Sequence, residues 1–127
     1  MTPNQRSVVR LRGLGYDPIE TVEHRIRGRR SKDLWGGDVL AIRSARPVGP
    51  RMHSWFVGET LLVQATSDNG GNVAARVRKL IGLPSTARLL AAGWQIEVHG
   101  WEGDQVRIVS ILLLNGVVQA PGIKLRD

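Results

Sequence analysis

Cysteine is absent from this 127-residue chain, which removes a disulfide frame, a thiolate metal site and a cysteine nucleophile together. Aromatic residues are scarce: beside four Trp there is one Tyr and one Phe, so each ring must be accounted for individually. No apolar run approaches the roughly 18 residues of a membrane-spanning helix, and no apolar stretch follows the N-terminus as in a secretory leader. The expected location is therefore the cytoplasm, with no membrane partner. Internal repeats and low-complexity segments are also missing, and a hydrophobic content of 42% at this length suits one domain spanning 1–127.

Acidic side chains are few. Eleven Asp plus Glu stand against eighteen Lys plus Arg, a formal net charge of +7, with a sequence pI near 11.2. That balance favours a polyanionic partner over acidic metabolites, with DNA the first expectation and RNA left open. The charge is also lopsided, because residues 1–51 hold eleven basic and five acidic side chains. Arg25, Arg27, Arg29, Arg30 and Lys32 form a run too dense for a solvated face alone and are the expected contacts to a nucleic-acid backbone, with Arg43 further on. The three histidines, His24, His53 and His99, lack metal-ligand spacing, which argues against zinc. His24 reads more simply as a half-buried strand residue than as a general base.

Thr2-Pro3 reads as an N-cap followed by Pro at the first helical position, and Val8, Val9, Leu11 and Leu14 give a short amphipathic helix stopped by Gly13 or Gly15. Residues 16–26 are rich in β-branched side chains and predict a strand that Pro18 pushes toward an edge. Two apolar runs, 37–42 and 60–66, predict buried strands, and residues 44–58, with Pro47, Gly49, Pro50 and Gly58, predict an elongated loop or hairpin with Trp55 and Phe56 at its tip. That loop suits base stacking, although the plainer reading is that Trp55 and Phe56 begin a strand. A Gly-rich turn ending at Asn72 as N-cap precedes a helix whose core face is Val73, Val77, Leu80 and Ile81, with Asn72, Arg76 and Lys79 together on another side. A second helix follows Pro84, then a strand over 94–101, a turn, and a last apolar strand over 106–114 that suggests a homodimer if it lies at an edge. Glu97 reads as a solvent-facing partner for an Arg, and Trp94 and Trp101 as anchors. Strands flanked by helices at crossover lengths make an α/β domain.

Each buried-looking run carries one polar residue, Asp38 in the first and Gln64 in the second. An ionised carboxylate at the start of such a strand must be paired, protonated or bound to a metal. The run Asp-Leu-Trp-Gly-Gly-Asp ending at Asp38, followed by Leu-Leu-Val-Gln-Ala-Thr-Ser and a basic helix, resembles the PD-(D/E)XK nuclease superfamily, in particular small phage-type members with Gln-x-Thr in place of Glu-x-Lys.

That resemblance implies a restriction-endonuclease-like α/β core with a central mixed sheet, and Mg²⁺ or Mn²⁺ as cofactor. By position it assigns metal binding to Asp38, Gln64 and the Ala65 carbonyl, and gives Thr66 the place where the family has a water-activating Lys. Lys79 is then the expected source of the missing positive charge, with Lys32 second, and Asp33 the expected second carboxylate, unless it merely caps its loop. Arg76 joins the nucleic-acid contacts. Two functions follow: a metal-dependent DNA endonuclease, or a catalytically degenerate nuclease-fold protein that binds nucleic acid or a partner protein without cleaving.

Overall fold

The computed structural model describes residues 1–21, 25–26, 29–30, 35–48 and 55–125, with only the backbone course given for 25–26, 29–30, 44–48 and 55–57. Helix α1 (Pro3–Gly13) begins as expected: Thr2 accepts from the Gln5 backbone N–H while the Gln5 side chain accepts from Thr2 N–H, a reciprocal capping box with Pro3 at the first position. It buries Ser7 and Leu11. The expected strand over 16–26 is shorter, with β1 (Asp17–Glu20) followed, in the connection to the next long strand, by the two-residue strands β2 (Arg25–Ile26) and β3 (Arg29–Arg30), which pair antiparallel. Arg25, Arg29 and Arg30 therefore sit on a small hairpin, while Arg27, Lys32, Asp33, His24 and His53 lie outside the described residues.

Strands β4 (Val39–Val48) and β5 (Trp55–Ser67) are longer than the apolar runs that announced them. They continue as antiparallel partners to Val48↔Trp55, with an irregularity between Ser44 and Pro47, so most of the expected loop is hairpin and Trp55 and Phe56 begin a strand. Next come α2 (Asn72–Gly82), α3 (Pro84–Ala91), β6 (Gln95–Glu102), β7 (Gln105–Leu114) and β8 (Val117–Gln119). Leu83 is extended before Pro84, as the proline ring demands, and the Thr86 hydroxyl donates to Leu80 O at 2.5 Å, satisfying a carbonyl at the end of α2. The N-cap of α2 is Gly71 rather than Asn72, whose amide donates to Ser67 O and Oγ at 3.3 Å each.

The sheet has six strands in the order β1-β4-β5-β6-β7-β8. Among the described strands only β5 and β6 are parallel, and α2 with α3 supplies the crossover that parallel strands require. Pro18 falls on the edge strand β1, as expected. The strand over 106–114 is covered only in part: β8 pairs with 112–114 across a turn at Asn115 and Gly116, both with positive φ, while no described strand lies outside 105–111. The apolar side chains Ile108, Leu112 and Leu114 are exposed on β7 all the same.

Both faces of the sheet are covered near its centre, and residues 61–66 are all buried. On one face Leu11 of α1 packs with Val39, Ala41, Leu61, Val63 and Ala65. On the other, Val73, Val77 and Leu80 of α2 and Leu89 of α3 pack with Leu62, Ile96, Val98, Val109 and Ile111. No described helix is long and apolar enough to cross a membrane.

Candidate functional site

Asp38 stands immediately before β4, where three chain segments converge on it. Its backbone N–H donates to Val63 O at 2.8 Å, and its carbonyl accepts from Thr21 N at 2.8 Å and from Thr21 Oγ1 at 3.2 Å. The Thr21 hydroxyl also donates to Gly37 O at 2.7 Å. The residue after β1 thus clamps the approach to β4, a role nothing in the local sequence announced.

Because Val39 lies opposite Val63, Asp38 falls beside Gln64. Asp38 Oδ2 accepts from Gln64 Nε2 at 2.7 Å and from Ala65 N at 2.9 Å. A carboxylate accepts only, so the amide nitrogen of Gln64 must be the end facing it. The other end, Gln64 Oε1, is buried and has no hydrogen-bond partner among the described residues. Such an orphaned acceptor inside a protein costs free energy and calls for an explanation. Gln64 is 1% exposed and in register with Val98, whose side chain belongs to the cluster under α2.

Of the other expected site residues, Thr66 is buried at 7% exposure, Arg76 on α2 is half-buried and Lys79 is exposed. The structure therefore brings Asp38, Gln64 and Ala65 together directly. Among the described residues no group of three or more His, Cys, Asp or Glu is placed to hold a metal ion.

Arg43, counted with the basic run from sequence, has structural partners. Its Nε donates to Glu59 Oε2 at 2.8 Å, its Nη2 makes a second bond to the same oxygen, its Nη1 donates to Leu14 O at 2.9 Å, and its guanidinium lies 4.4 Å from the Tyr16 ring centre. Burial pushes the Tyr16 phenol above its ordinary pKa. The hydrogen bond it donates to Glu59 at 3.2 Å and the charges of Glu59 and Glu97 add to this, against the opposing pull of Arg43.

On the α1 face lies a polar chain that the sequence reading missed. Trp101 Nε1 donates to Ser7 Oγ at 2.9 Å, Ser7 Oγ lies 2.9 Å from His99 Nδ1, and His99 Nε2 lies 3.0 Å from Glu97 Oε1. A carboxylate only accepts, so Nε2–H donates to Glu97 and Nδ1 is left to accept from the Ser7 hydroxyl. The order hydroxyl, imidazole, carboxylate is that of a nucleophile relay, but Ser7 and His99 are each 0% exposed, so no substrate reaches them. The chain fastens α1 to β6. Among the described residues Glu97 is therefore a partner of His99 and not of an arginine. The spacing of Glu97 and His99 two apart on one strand, which puts both on one face, was the available signal.

No family model matches the chain, and neither a curated protein nor a solved structure does, so its functional reading rests on the residues themselves.

Proposed function

We propose that the chain is a metal-dependent DNA endonuclease of the PD-(D/E)XK kind, centred on Asp38 and Gln64. The observation that carries this reading is the pairing of the Asp38 carboxylate with Gln64 and Ala65 across β4 and β5, with Gln64 Oε1 left buried and unpartnered. The element order supports it: a helix, three antiparallel strands β1, β4 and β5, a helical crossover and a parallel strand β6 follow the succession that the sequence resemblance implies.

The residues present would fit Mg²⁺ or Mn²⁺ once the Gln64 amide turns over, because a hard cation takes oxygen ligands and the orphaned Oε1 belongs to the amide whose nitrogen faces the Asp38 carboxylate. Asp38 and Gln64 would hold it, with the Ala65 carbonyl and Asp33 as the further oxygens the resemblance implies. When bound, such an ion supplies Lewis-acid polarisation of the phosphate and a more acidic attacking water. Asp38 is fixed for this role by Thr21, and the hairpin carrying Arg25, Arg29 and Arg30 precedes the site in the chain and would grip phosphates. Thr66 offers a hydroxyl, and Lys79 would bring the positive charge that Thr66 cannot.

The second reading, binding without cleavage, is favoured by the neutral Gln64 and Thr66 and by the lack of a three-ligand group among the described residues. Incubation with Mg²⁺ or Mn²⁺ on duplex, single-stranded, flap and four-way DNA separates the two. Asp38→Asn is expected to abolish cleavage while leaving binding intact or improved, since it removes negative charge beside phosphate. A wild-type protein that binds these substrates and cuts none would establish the second reading instead.

A further inference from the structure

We infer that Trp35 is a stacking platform for an unpaired nucleobase next to Asp38, so that the nucleic acid taken by this site carries unpaired nucleotides. The inference rests on the nucleic-acid reading above. It begins from the backbone: Trp35 has φ 53, a left-handed conformation that a bulky L-residue rarely adopts. Residues held this way cluster at ligand-binding and active sites, where the surroundings impose the conformation.

Here the surroundings are visible. Gly36 has φ 79, and a Cβ there would lie 2.6 Å from Leu83 Cδ1; a Cβ on Gly37 would lie 2.6 Å from Leu62 Cγ. The two glycines press the chain onto the side chains under α2, and Thr21 holds the Gly37 carbonyl. The path from Trp35 to Asp38 is thereby fixed. The Trp35 and Trp94 rings form a T-shaped pair, with centroids 6.0 Å apart and planes at 73°.

Burial does not repay the arrangement, because Trp35 remains 43% exposed. An anchor for the loop would gain most by full burial, whereas a ring braced by Trp94 and still open to solvent is arranged to receive something flat. Asp38 lies three positions further on, at most about 11 Å of chain away. The same connection between β1 and β4 also carries Arg25, Arg29 and Arg30. A π-face, a run of positive charge and a carboxylate in one stretch suit a base, its phosphates and the bond between them. Bases inside a duplex are already stacked, so the platform selects single-stranded, flapped or frayed DNA.

The test uses the full chain in an Asp38→Asn background, which keeps substrate intact, and measures binding of a single-stranded oligonucleotide and of a duplex with the same number of phosphates. Trp35→Ala is expected to weaken binding of the unpaired strand by about 5- to 150-fold, the range for losing one stacked base, while duplex binding changes less than twofold. Trp35→Phe should keep most of the affinity. Removing bases one at a time from the unpaired strand should reproduce the loss at one position with Trp35 present and add nothing to Trp35→Ala. Equal losses on both substrates, unchanged binding in Trp35→Ala, or an abasic series without effect would each overturn the platform while leaving the nucleic-acid reading standing; an abasic series needs no variant at position 35 to fold. Failure of both substrates to bind at low salt would overturn both.

Discussion

Gln64 does two things at once: its amide nitrogen holds Asp38, and its amide oxygen is left in the interior without a donor. Converting it to Glu tests what that oxygen is for. Gln64→Glu sets two carboxylates against each other where the present contact is 2.7 Å, and like charges so close oppose joint ionisation. The variant is expected to melt below the wild type in a chelator and to recover on adding Mg²⁺, since a ligand bound only by the folded state stabilises it by mass action. Equal melting with and without the ion would remove Asp38 and Gln64 as a cation site. Tyr16 offers a second test at this scale because it is the only tyrosine. Its raised pKa means that the folded state keeps the phenol neutral where the unfolded chain would ionise it. The stabilisation is complete below the ordinary value of about 10 and is lost as pH rises through the folded value. An absorbance titration should therefore show a midpoint above 10 that falls on unfolding, and a folded midpoint at or below 10 would contradict it.

Among the elements, α1 depends most on contacts distant in sequence. Its apolar contribution is narrow, with Leu11 its single large buried side chain, so the hydrogen bonds through Ser7 carry much of its attachment to β6. Ser7→Ala leaves His99 Nδ1 and Trp101 Nε1 without their partner, and an unsatisfied buried polar group costs roughly 1–3 kcal/mol. The expected result is a loss of that size in denaturant unfolding with DNA affinity unchanged, because the chain lies on the face away from Gln64. A loss below about 0.5 kcal/mol would mean that the apolar contacts of α1 suffice. The β4–β5 hairpin differs in kind: β1 pairs with β4 over 39–42 and β6 with β5 over 61–67, so beyond those limits the two strands pair with each other. Arg43 and Glu59 bond across the hairpin where this stretch begins, tied to Leu14 and stacked on Tyr16.

For the whole molecule the governing quantity is charge and its distribution. A net +7, most of it within residues 1–51, predicts association with DNA that weakens steeply with salt. The expected log–log slope is about −0.9 for each phosphate neutralised on a duplex. Replacing Arg29 and Arg30 by Ala should reduce the slope by about two contacts while leaving unfolding nearly unchanged. A flat salt dependence would remove nucleic acid as the partner.

Sequence alone determined the features that act over a few residues. The Thr2–Gln5 cap, Pro3 and Pro84 at helix starts, the buried stripe of α2 and the Asp38 and Gln64 positions were all legible, because capping, ring constraint and periodicity are local. The β8 hairpin is legible too, in Asn115-Gly116, although the expectation of a last strand over 106–114 assigns nothing beyond it. Glu97 shows what local pattern cannot give. Alternation along β6 correctly put it on the face opposite Ile96 and Val98, but whether that face meets water or a helix depends on where α1 docks, and α1 is about ninety residues away. The Thr21 clamp on Asp38, the orphaned oxygen of Gln64 and the exposed, left-handed Trp35 have the same origin. Local physics fixes which face a side chain takes, but the partner on that face is fixed only when distant elements pack together.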